Sequence, residues 1–299
     1  MTSAFDHLLA EGLPFVPKPI VRRFSRPYIA GETEGEMLDV VRRLENEGLR
    51  TTVDVLGESS TRPEQAEAAV EKYLAVMNHL ASHGLGRNVS VKLTQLGLKI
   101  DRDFCQTNVT RILELAVQHD GFVRIDMEDS STTEDTLRIY SHLQERYGHR
   151  VGPVIQAYLR RSLGDVRALG KRQANVRLCK GIYVEPRVLA YRDREVVSRN
   201  YLRLLEELLG AGCHVGIATH DERLVVAAMR ILDRLGIDNT RHEFQMLLGV
   251  DETLRKIILA EGHKLRVYVP FGRLWYQYSL RRLRENPQIA GYVFKNLFA

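Results

Sequence analysis

The sequence predicts an α/β protein with the fold of a distorted (βα)8 TIM-type barrel, preceded by an N-terminal helical extension. Two patterns predict this fold. Eight short, apolar and β-branched runs follow one another along the chain, and segments with helical spacing separate them. The length of 299 residues accommodates a barrel of about 250 residues together with an extension.

The eight predicted strands recur at regular intervals along the chain. They begin near Thr51, Asn88, Gly121, Val151, Asn175, Cys213, His242 and Lys264. Intervals of roughly 20 to 40 residues suit one strand and one return helix per unit, and such units close into a barrel. A doubly wound sheet is the competing arrangement. It has little support as a dinucleotide-binding fold, because no G-x-G-x-x-G follows any of the strands.

Proline and glycine residues mark the ends of the predicted helices. One helix opens with Pro63 and stops at Gly84, positions that these residues prefer. The segment TLRIYSHLQERYG also ends on a glycine. Before the first strand, MLDVVRRLENEGL carries apolar residues at helical spacing. We therefore divide the chain into a helical extension, residues 1–50, and a barrel domain, residues 51–299.

The composition indicates a globular protein. Hydrophobic residues make up 44% and charged residues 27%, which argues against disorder. The net charge is only +5 and the charges are interspersed, so no nucleic-acid partner is expected. The cysteines, Cys105, Cys179 and Cys213, are too scattered for a disulfide framework or a zinc site, and no metal site is predicted. Without an apolar stretch of about 18 residues or a signal peptide, the expected location is the cytoplasm, with peripheral membrane contact left open.

Polar and titratable residues accompany nearly every predicted strand. In chain order they are Asp54, Glu58, Lys92, Asp126, Glu128, Asp129, Gln156, Arg177, Lys180, Thr219, His220, Asp221, Gln245 and Tyr268. Barrel enzymes build their sites at the carboxyl ends of the strands, whereas core-facing strand positions are usually Val, Ile or Leu. Taken alone, Lys92 and Asp126 are equally consistent with a structural ion pair. Together at one rim, these residues indicate an active site.

The last predicted helix carries an aromatic ring beside two guanidinium groups. Tyr278, Arg281 and Arg282 stand at positions i, i+3 and i+4, which lie on one helix face. Arginine pairs bind carboxylates through bidentate hydrogen bonds. This face therefore suits a small carboxylate with an apolar body. A basic, solvent-facing surface with a core-facing tyrosine is the other interpretation.

Eight segments around these residues resemble the proline dehydrogenase family, particularly its bacterial monofunctional members. In order they are DVLGE (54–58), VKLTQLGL (91–98), RIDMEDS (124–130), QAYLRR (156–161), VRLCKGIYVEP (176–186), ATHDE (218–222), EFQMLLGV (243–250), and RVYVPFG followed by WYQYSLRRLRENP (266–272 and 275–287). One such segment is weak evidence. All eight in order, from about residue 24 to 287, make a chance match unlikely.

The resemblance implies FAD over the strand ends and L-proline between the isoalloxazine ring and the last helix. It implies a carboxylate-binding role for Arg281 and Arg282 and a gate formed by Glu58 with Arg281; with Lys92 and Asp126 these make up the expected catalytic set. The residues implied to line the substrate are Lys92, Asp126, Leu247, Tyr268, Tyr278, Arg281 and Arg282. The residues implied to hold the flavin are Asp126, Gln156, Arg177, Lys180, Gly181, Ile182, Tyr183, Ala218, Thr219, His220, Gln245 and Glu285.

The implied reaction is the oxidation of L-proline to 1-pyrroline-5-carboxylate by hydride transfer to flavin N5, the first step from proline toward glutamate. The expected partners are a membrane quinone as electron acceptor and a separate pyrroline-5-carboxylate dehydrogenase, since no aldehyde dehydrogenase portion follows. The proline amine must be neutral before C5 becomes a good hydride donor. Lys92 and Asp126 are candidates for governing that deprotonation, and the sequence leaves open which one acts as base.

Three residues depart from the family pattern, and three alternatives remain open. Small or apolar residues such as Val and Ala are expected at Cys179 and Ile182, and a tyrosine is common at Leu248; the bulkier Ile182 is expected to narrow the pocket.

Within the family, 4-hydroxyproline is the alternative substrate, although Tyr278 is expected to crowd C4 of the ring. Outside the family, two alternatives remain. One is a barrel hydrolase that uses Glu58 and Asp126 as acid and base, and the other is a nucleic-acid-binding scaffold.

Overall fold

A computed structural model describes residues 21–22 and 25–285, with side chains as far as residue 280. Eight parallel strands form one closed barrel in chain order, each hydrogen-bonded to the next and β8 to β1. The strands are β1 Arg50–Val55, β2 Asn88–Val91, β3 Phe122–Ile125, β4 Val151–Gln156, β5 Asn175–Cys179, β6 His214–Ala218, β7 His242–Leu247 and β8 Leu265–Phe271. The predicted (βα)8 barrel is confirmed, and every predicted strand start lies within one residue of the observed one.

Helices alternate with the strands along the described chain. They are α1 Glu34–Asn46, α2 Pro63–Ser82, α3 Arg102–Gln118, α4 Thr133–Tyr147, α5 Ser162–Gly170, α6 Arg194–Gly210, α7 Glu222–Arg234, α8 Glu252–Ala260 and α9 Trp275–Glu285. A short 3-10 turn, Arg26–Tyr28, precedes α1, and another, Gly148–Arg150, follows α4. No described helix is long and apolar enough to cross a membrane.

Local sequence explains where these helices begin and end. Thr33 caps α1 and forms a reciprocal capping box with Glu36. Pro63 stands at the first turn of α2, where its missing N–H costs nothing. Gly84, just past the end of α2, has a φ of +66°, a conformation that disfavours a residue with a Cβ. These end signals confirm the helix limits that the sequence predicts.

The main apolar core lies between the barrel and its helices. Alternate strand residues such as Val53, Val89 and Ile217 are fully buried. They belong to one cluster with buried helix residues such as Met37 of α1. Because side chains alternate across a strand, the residues between them face the barrel interior.

The interior of the barrel is polar rather than filled with Val, Ile and Leu, so the expectation for core-facing positions is wrong in this part of the fold. Arg177 of β5 donates to Ser90 of β2 at 3.0 Å and to Gln245 of β7 at 2.6 Å. Neither β2 nor β7 neighbours β5 in the barrel, so these hydrogen bonds cross the interior. Such a layer is tolerated because its charged groups are paired.

Candidate functional site

Asp126 lies at the centre of a cluster at the carboxyl ends of the strands. It follows β3 directly, one residue past the strand in which the sequence placed it, and its N–H donates to Val91 of β2. Its Oδ1 accepts hydrogen bonds from Arg177 at 2.7 Å and from Ser90 at 3.1 Å. Its Oδ2 accepts from the hydroxyl of Tyr268 at 2.8 Å. Strands β2, β5 and β8 thus fix both oxygens of this carboxylate.

Lys92 stands beside this carboxylate, but its nearest partner is a different aspartate. Its Nζ lies 2.7 Å from Asp54 Oδ1 and 3.6 Å from Asp126 Oδ2. Burial opposes the ammonium charge, but the two carboxylates outweigh it and raise the pKa of Lys92 above its ordinary value. Lys92 and Asp126 thus form the ion pair considered from the sequence, but each has a closer partner: Asp54 for Lys92, and Arg177, at 2.7 Å, for Asp126.

Arg177 and Tyr268 complete the cluster, which we call the reaction cluster and define as Lys92, Asp126, Arg177, Gln245 and Tyr268. The guanidinium carbon of Arg177 lies 5.2 Å from the centre of the Tyr268 ring, within cation–π distance. The Tyr268 hydroxyl also accepts a hydrogen bond from Lys92 Nζ at 3.3 Å. Burial, and then the charge of Asp126, raise the pKa of Tyr268 well above its ordinary value, so the phenol stays protonated.

A second charged layer lies beneath the reaction cluster, and the sequence analysis missed it. Glu243 accepts from Arg266 at 2.6 Å and forms an ion pair with Arg50 at 3.3 Å. Arg124, also buried, donates to carbonyl groups of Pro153 and Asn175. The signal was available, because these charges sit at alternate positions of their strands and therefore face inward with the reaction cluster.

Gln156 and Gly181 mark the upper rim of the barrel near β4 and β5. Gln156 donates through Nε2 to the carbonyl of Met127, while its Oε1 is buried without a partner among the described residues. Gly181 has a φ of +103°, and a Cβ there would lie 2.1 Å from the ring of Tyr158. The rim thus has a free acceptor and a backbone turn that only glycine fits without strain.

Lys180 and His220 extend the rim toward β6 and β7. Lys180 forms an ion pair with Asp221 at 2.7 Å and keeps about a third of its side chain exposed. The N–H of Leu247 donates to Nε2 of His220 at 2.8 Å. This leaves the other ring nitrogen of a neutral His220 to carry the proton. Leu247 itself ends β7 and is partly exposed.

Several more of the predicted residues lie around this rim. Ala218 and Thr219 follow one another at the end of β6, Tyr183 is partly buried, and Ile182 is 45% exposed. Cys179 ends β5, and burial raises its pKa to about 12.

For three of the acidic residues that the sequence placed at the rim, no side-chain hydrogen bond to the reaction cluster is described. Glu128 accepts from the hydroxyl and N–H of Thr94, and burial raises its pKa. Asp129 accepts from Ser131 in the turn that follows. Glu58 is exposed in the loop after β1.

The last helix contributes one described candidate. Tyr278, on α9, is 5% exposed. The side chains of Arg281, Arg282 and Glu285 lie outside the described residues, although α9 extends to Glu285. The carboxylate clamp and the gate therefore stay predictions.

The geometry suits binding and orienting a small polar molecule above a fixed set of charges. Within the described residues, no group of three or more His, Cys, Asp or Glu side chains is arranged as metal ligands. The reaction cluster instead offers a protonated amine, a carboxylate that accepts three hydrogen bonds, a guanidinium and a phenol, all on barrel strands or directly after them. Preorganised charges of this kind stabilise developing charge without rearrangement.

Comparisons with known proteins give this site a family. A family model described as "Proline dehydrogenase" matches residues 37–294. The proline dehydrogenase of Deinococcus radiodurans is 36% identical over 274 residues, covering 90% of this chain and 88% of that protein. Proline dehydrogenase 2 of Bacillus subtilis is 36% identical over 269 residues, again covering 90% and 88%.

A solved structure agrees with the fold. Proline utilization A from Bdellovibrio bacteriovorus, inactivated by N-propargylglycine, superposes with a TM-score of 0.83 at 28% identity. The comparison covers 91% of this chain but only 34% of that one, so the chain spans about a third of the larger protein. The match to the two shorter dehydrogenases over most of their length fits the bacterial monofunctional type that the eight sequence segments indicate. Since the family model and both relatives cover most of it, the chain belongs to the proline dehydrogenase family.

Proposed function

We propose that this protein is a flavin-dependent oxidoreductase that oxidises L-proline to 1-pyrroline-5-carboxylate. The observation that carries the proposal is the reaction cluster, in which Lys92, Asp126 and Tyr268 meet at the mouth of a barrel of this family. A cluster so buried and so fully hydrogen-bonded presents fixed polar atoms toward one opening, as an enzyme site requires.

The described residues fit a flavin. FAD carries a ring with an N–H donor and a diphosphate with negative charges. The buried, unpartnered Oε1 of Gln156 is an acceptor for such a donor, and the partly exposed ammonium of Lys180 is a partner for a phosphate. The turn at Gly181 gives close access to backbone. When bound, FAD would accept a hydride at N5, and the protein would supply orientation and electrostatics.

We assign the remaining flavin contacts by the family resemblance, residue by residue. They are Asp126, Arg177, Ile182, Tyr183, Ala218, Thr219, His220, Gln245 and Glu285. Among these, Arg177 has the clearest physical role. Its positive charge is buried, and it is directed by Asp126 and Gln245, so it can stabilise negative charge gained on reduction.

Proline would be held by its carboxylate and around its ring. Arg281 and Arg282 are proposed to bind its carboxylate, with Leu247, Tyr268 and Tyr278 around the ring. Such a clamp fixes C5 in one position, which lowers the entropic part of the barrier. Glu58, in the exposed loop after β1, is proposed to close over bound proline by pairing with Arg281 and to exclude water.

The environment of Lys92 bears on how the proline amine loses its proton. Asp54 and Asp126 keep the Lys92 ammonium protonated, so Lys92 is a poor proton acceptor at neutral pH. The fixed positive charge of Lys92 instead favours a neutral proline amine over a protonated one when proline is bound nearby. Asp126 is also poorly placed as a base, because three donors already occupy its oxygens. We therefore propose that proline binds with its amine already neutral or loses the proton to water on entry.

The same occupancy argues against the hydrolase alternative. A glycosidase needs one carboxylic acid that stays protonated in an apolar pocket. Asp126 does not lie in such a pocket, because a guanidinium, a hydroxyl and a phenol all donate to it. Glu58 is exposed and makes no described contact with Asp126.

The wider assignments rest on the family alone. We propose a membrane quinone as electron acceptor, with the protein at most peripheral to the membrane, and a separate pyrroline-5-carboxylate dehydrogenase as the consumer of the product. We also keep the division into an extension, residues 1–50, and a catalytic barrel, residues 51–299.

An anaerobic spectrum tests the proposed function. The purified protein, reconstituted with FAD, should show the two-band flavin absorption, and L-proline should bleach the longer-wavelength band. Loss of this bleaching in Arg177→Ala or Lys180→Ala, or loss of bound flavin, would support the assigned contacts. A protein that binds no FAD, or whose flavin stays oxidised with L-proline, would contradict the proposal.

A further inference from the structure

A chain of buried hydrogen bonds connects the reaction cluster to the charged layer beneath it. Arg177 donates through Nε to Oε1 of Gln245 at 2.6 Å. Gln245 in turn donates through Nε2 to Oε1 of Glu243 at 2.8 Å. The three side chains belong to residues that are 7%, 6% and 3% exposed, so water does not substitute for these bonds.

The orientation of the Gln245 amide decides whether Arg177 is held. A glutamine amide has a donor end and an acceptor end of nearly equal size, and its neighbours select which end points where. Arg177 Nε–H is a donor and needs the oxygen of Gln245. If the amide turned over, two N–H groups would face each other in a buried site and neither would have an acceptor, which is unfavourable.

Glu243 is the neighbour that selects this orientation. An ionised carboxylate only accepts hydrogen bonds, so Gln245 must present its nitrogen to it. Burial alone would raise the pKa of Glu243, but the charge and hydrogen bonds of Arg266 outweigh burial and hold that pKa well below its ordinary value. Arg266 donates to both carboxylate oxygens, at 2.6 Å and 3.1 Å. Glu243 therefore stays ionised and accepts only.

We propose that Glu243 is a positioning residue for the reaction: it fixes the amide of Gln245, which holds Arg177 toward Asp126. Arg177 reaches Asp126 through its NH1 group, which donates to Oδ1 at 2.7 Å. The inference rests on the proposed function, because it assigns Arg177 to the flavin-facing site. It goes beyond that function by giving a positioning role to a residue that touches neither substrate nor cofactor.

The substitution Glu243→Gln tests this role with little change in shape. Arg266, a charged donor, would take the single amide oxygen of Gln at position 243, because charge-assisted hydrogen bonds are the stronger ones. The amide nitrogen would then face Gln245, which must turn its oxygen toward it and its nitrogen toward Arg177. We expect kcat for L-proline to fall on the order of tenfold, since one hydrogen bond to a charged group is lost. KM should change less, because no proposed proline ligand is altered.

A second readout follows Arg177 directly and does not depend on turnover. The Nε–H proton of a buried, hydrogen-bonded arginine exchanges slowly and gives its own ¹H–¹⁵N resonance, which Arg177→Lys identifies by its disappearance. In the FAD-loaded protein with Glu243→Gln, we expect this resonance to shift and to exchange faster. The surface substitution Glu207→Gln, which removes the partner of Arg167, is the control and should leave it unchanged.

The double variant Glu243→Gln with Gln245→Glu separates positioning from general stability. A carboxylate at position 245 accepts from Arg177, and the amide at position 243 donates to that carboxylate, so the acceptor opposite Arg177 returns with the same net charge. In the double variant we expect the Arg177 Nε–H resonance to regain slow exchange. This readout can be used even if the single variant Glu243→Gln folds poorly. A wild-type resonance in Glu243→Gln, or fast exchange persisting in the double variant, would overturn the proposal. Failure of proline to bleach the wild-type flavin would instead reject the proposed function.

Discussion

The Nζ of Lys92 lies 2.7 Å from Oδ1 of Asp54, and Asp54 is fully buried. Its other oxygen, Oδ2, has no hydrogen-bond partner among the described residues. Lys92 is thus the main reason why a buried carboxylate is tolerated at this depth. In return, Asp54 is the first of the two charges that keep Lys92 protonated.

We expect Asp54→Asn to lower both stability and the pKa of Lys92. Removing one partner of a buried ion pair costs about 3 kcal/mol, the lower end of the usual range because Lys92 is partly exposed. Urea denaturation measures this loss. If the Lys92 charge supports turnover, the alkaline limb of kcat/KM against pH should also move to lower pH. The exposed pair of Asp39 with Arg42 provides the control, Asp39→Asn, which should change neither quantity. An unmoved alkaline limb would remove Lys92 from the pH control of the reaction.

Tyr268→Phe should lower activity without removing the flavin. The hydroxyl of Tyr268 donates to Asp126 and accepts from Lys92. Its removal therefore takes one hydrogen bond from each of these two charged groups. A hydrogen bond to a charged group contributes about 1.5–3 kcal/mol, which corresponds to roughly 10- to 100-fold in kcat/KM. The control is Tyr201→Phe, which removes a buried hydroxyl that donates to Leu178 on the far side of β5. Equal kinetic losses in both variants would show that the effect is general destabilisation.

The sequence predicts the fold well because its signals are local. Gly84 and Pro63 mark helix ends through their own backbone preferences, and β-branched runs mark the strands. Parallel strands joined by helices then have few ways to pack, so the barrel follows. The end-of-strand position of Lys92 and Asp126 was also predictable, within one residue.

Pairing inside the barrel was not predictable in the same way. Whether Lys92 lies closer to Asp54 or to Asp126 depends on strand register and on a distance difference of about one ångström across the interior. The charged layer of Glu243 and Arg266 was missed for a different reason. Apolar residues were assumed for the interior, although the two charges alternate with buried Phe244 and Val267 along their strands.

The gate predicts coupling between Glu58 and Arg281. Glu58→Ala should weaken proline turnover while FAD stays bound, because Glu58 lies in the loop after β1 rather than in the reaction cluster. If the two residues close the site as an ion pair, removing both should cost less than the sum of the single losses. A double-mutant cycle in kcat/KM measures this difference. Strictly additive losses would remove the pairing from the proposal.

His214 predicts a pH dependence of stability that is separate from catalysis. Burial lowers its pKa to about 4, whereas an unfolded histidine titrates near 6.5. The unfolded chain therefore binds the extra proton first, so the free energy of unfolding decreases as the pH falls from about 6.5 to about 4. We expect His214→Asn to reduce this decrease by about 2–3 kcal/mol. Urea denaturation at several pH values measures it.

Part of the pH dependence should remain in that variant, because burial also lowers the pKa of His242 and His263. The exposed His149 provides the control, His149→Asn, which should follow the wild-type curve. A His214 variant with the full wild-type decrease between pH 6.5 and 4 would show that this histidine is protonated in the folded protein.

The choice of L-proline over its 4-hydroxylated relative rests on Tyr278. This ring is 5% exposed and lies one helical turn before Arg281, so it can cover the far edge of a five-membered ring held by its carboxylate. A 4-hydroxyl placed there would lose its water without gaining a partner, at a cost of about 1–3 kcal/mol. L-Proline should therefore be preferred over trans-4-hydroxy-L-proline by at least about tenfold in kcat/KM.

Tyr278→Ser should shrink this preference, chiefly by weakening proline binding and by making room at C4. The ratio of kcat/KM for the two amino acids, measured on the same preparation, is the test. Tyr276→Ser, on the same helix α9, controls for the loss of an aromatic ring and should keep the wild-type ratio. If wild-type protein oxidises both amino acids equally well, or if Tyr278→Ser keeps the original ratio, then Tyr278 does not select the substrate. The 4-hydroxyproline alternative would then have the same support as proline, because none of the other residues proposed to line the substrate distinguishes the two rings.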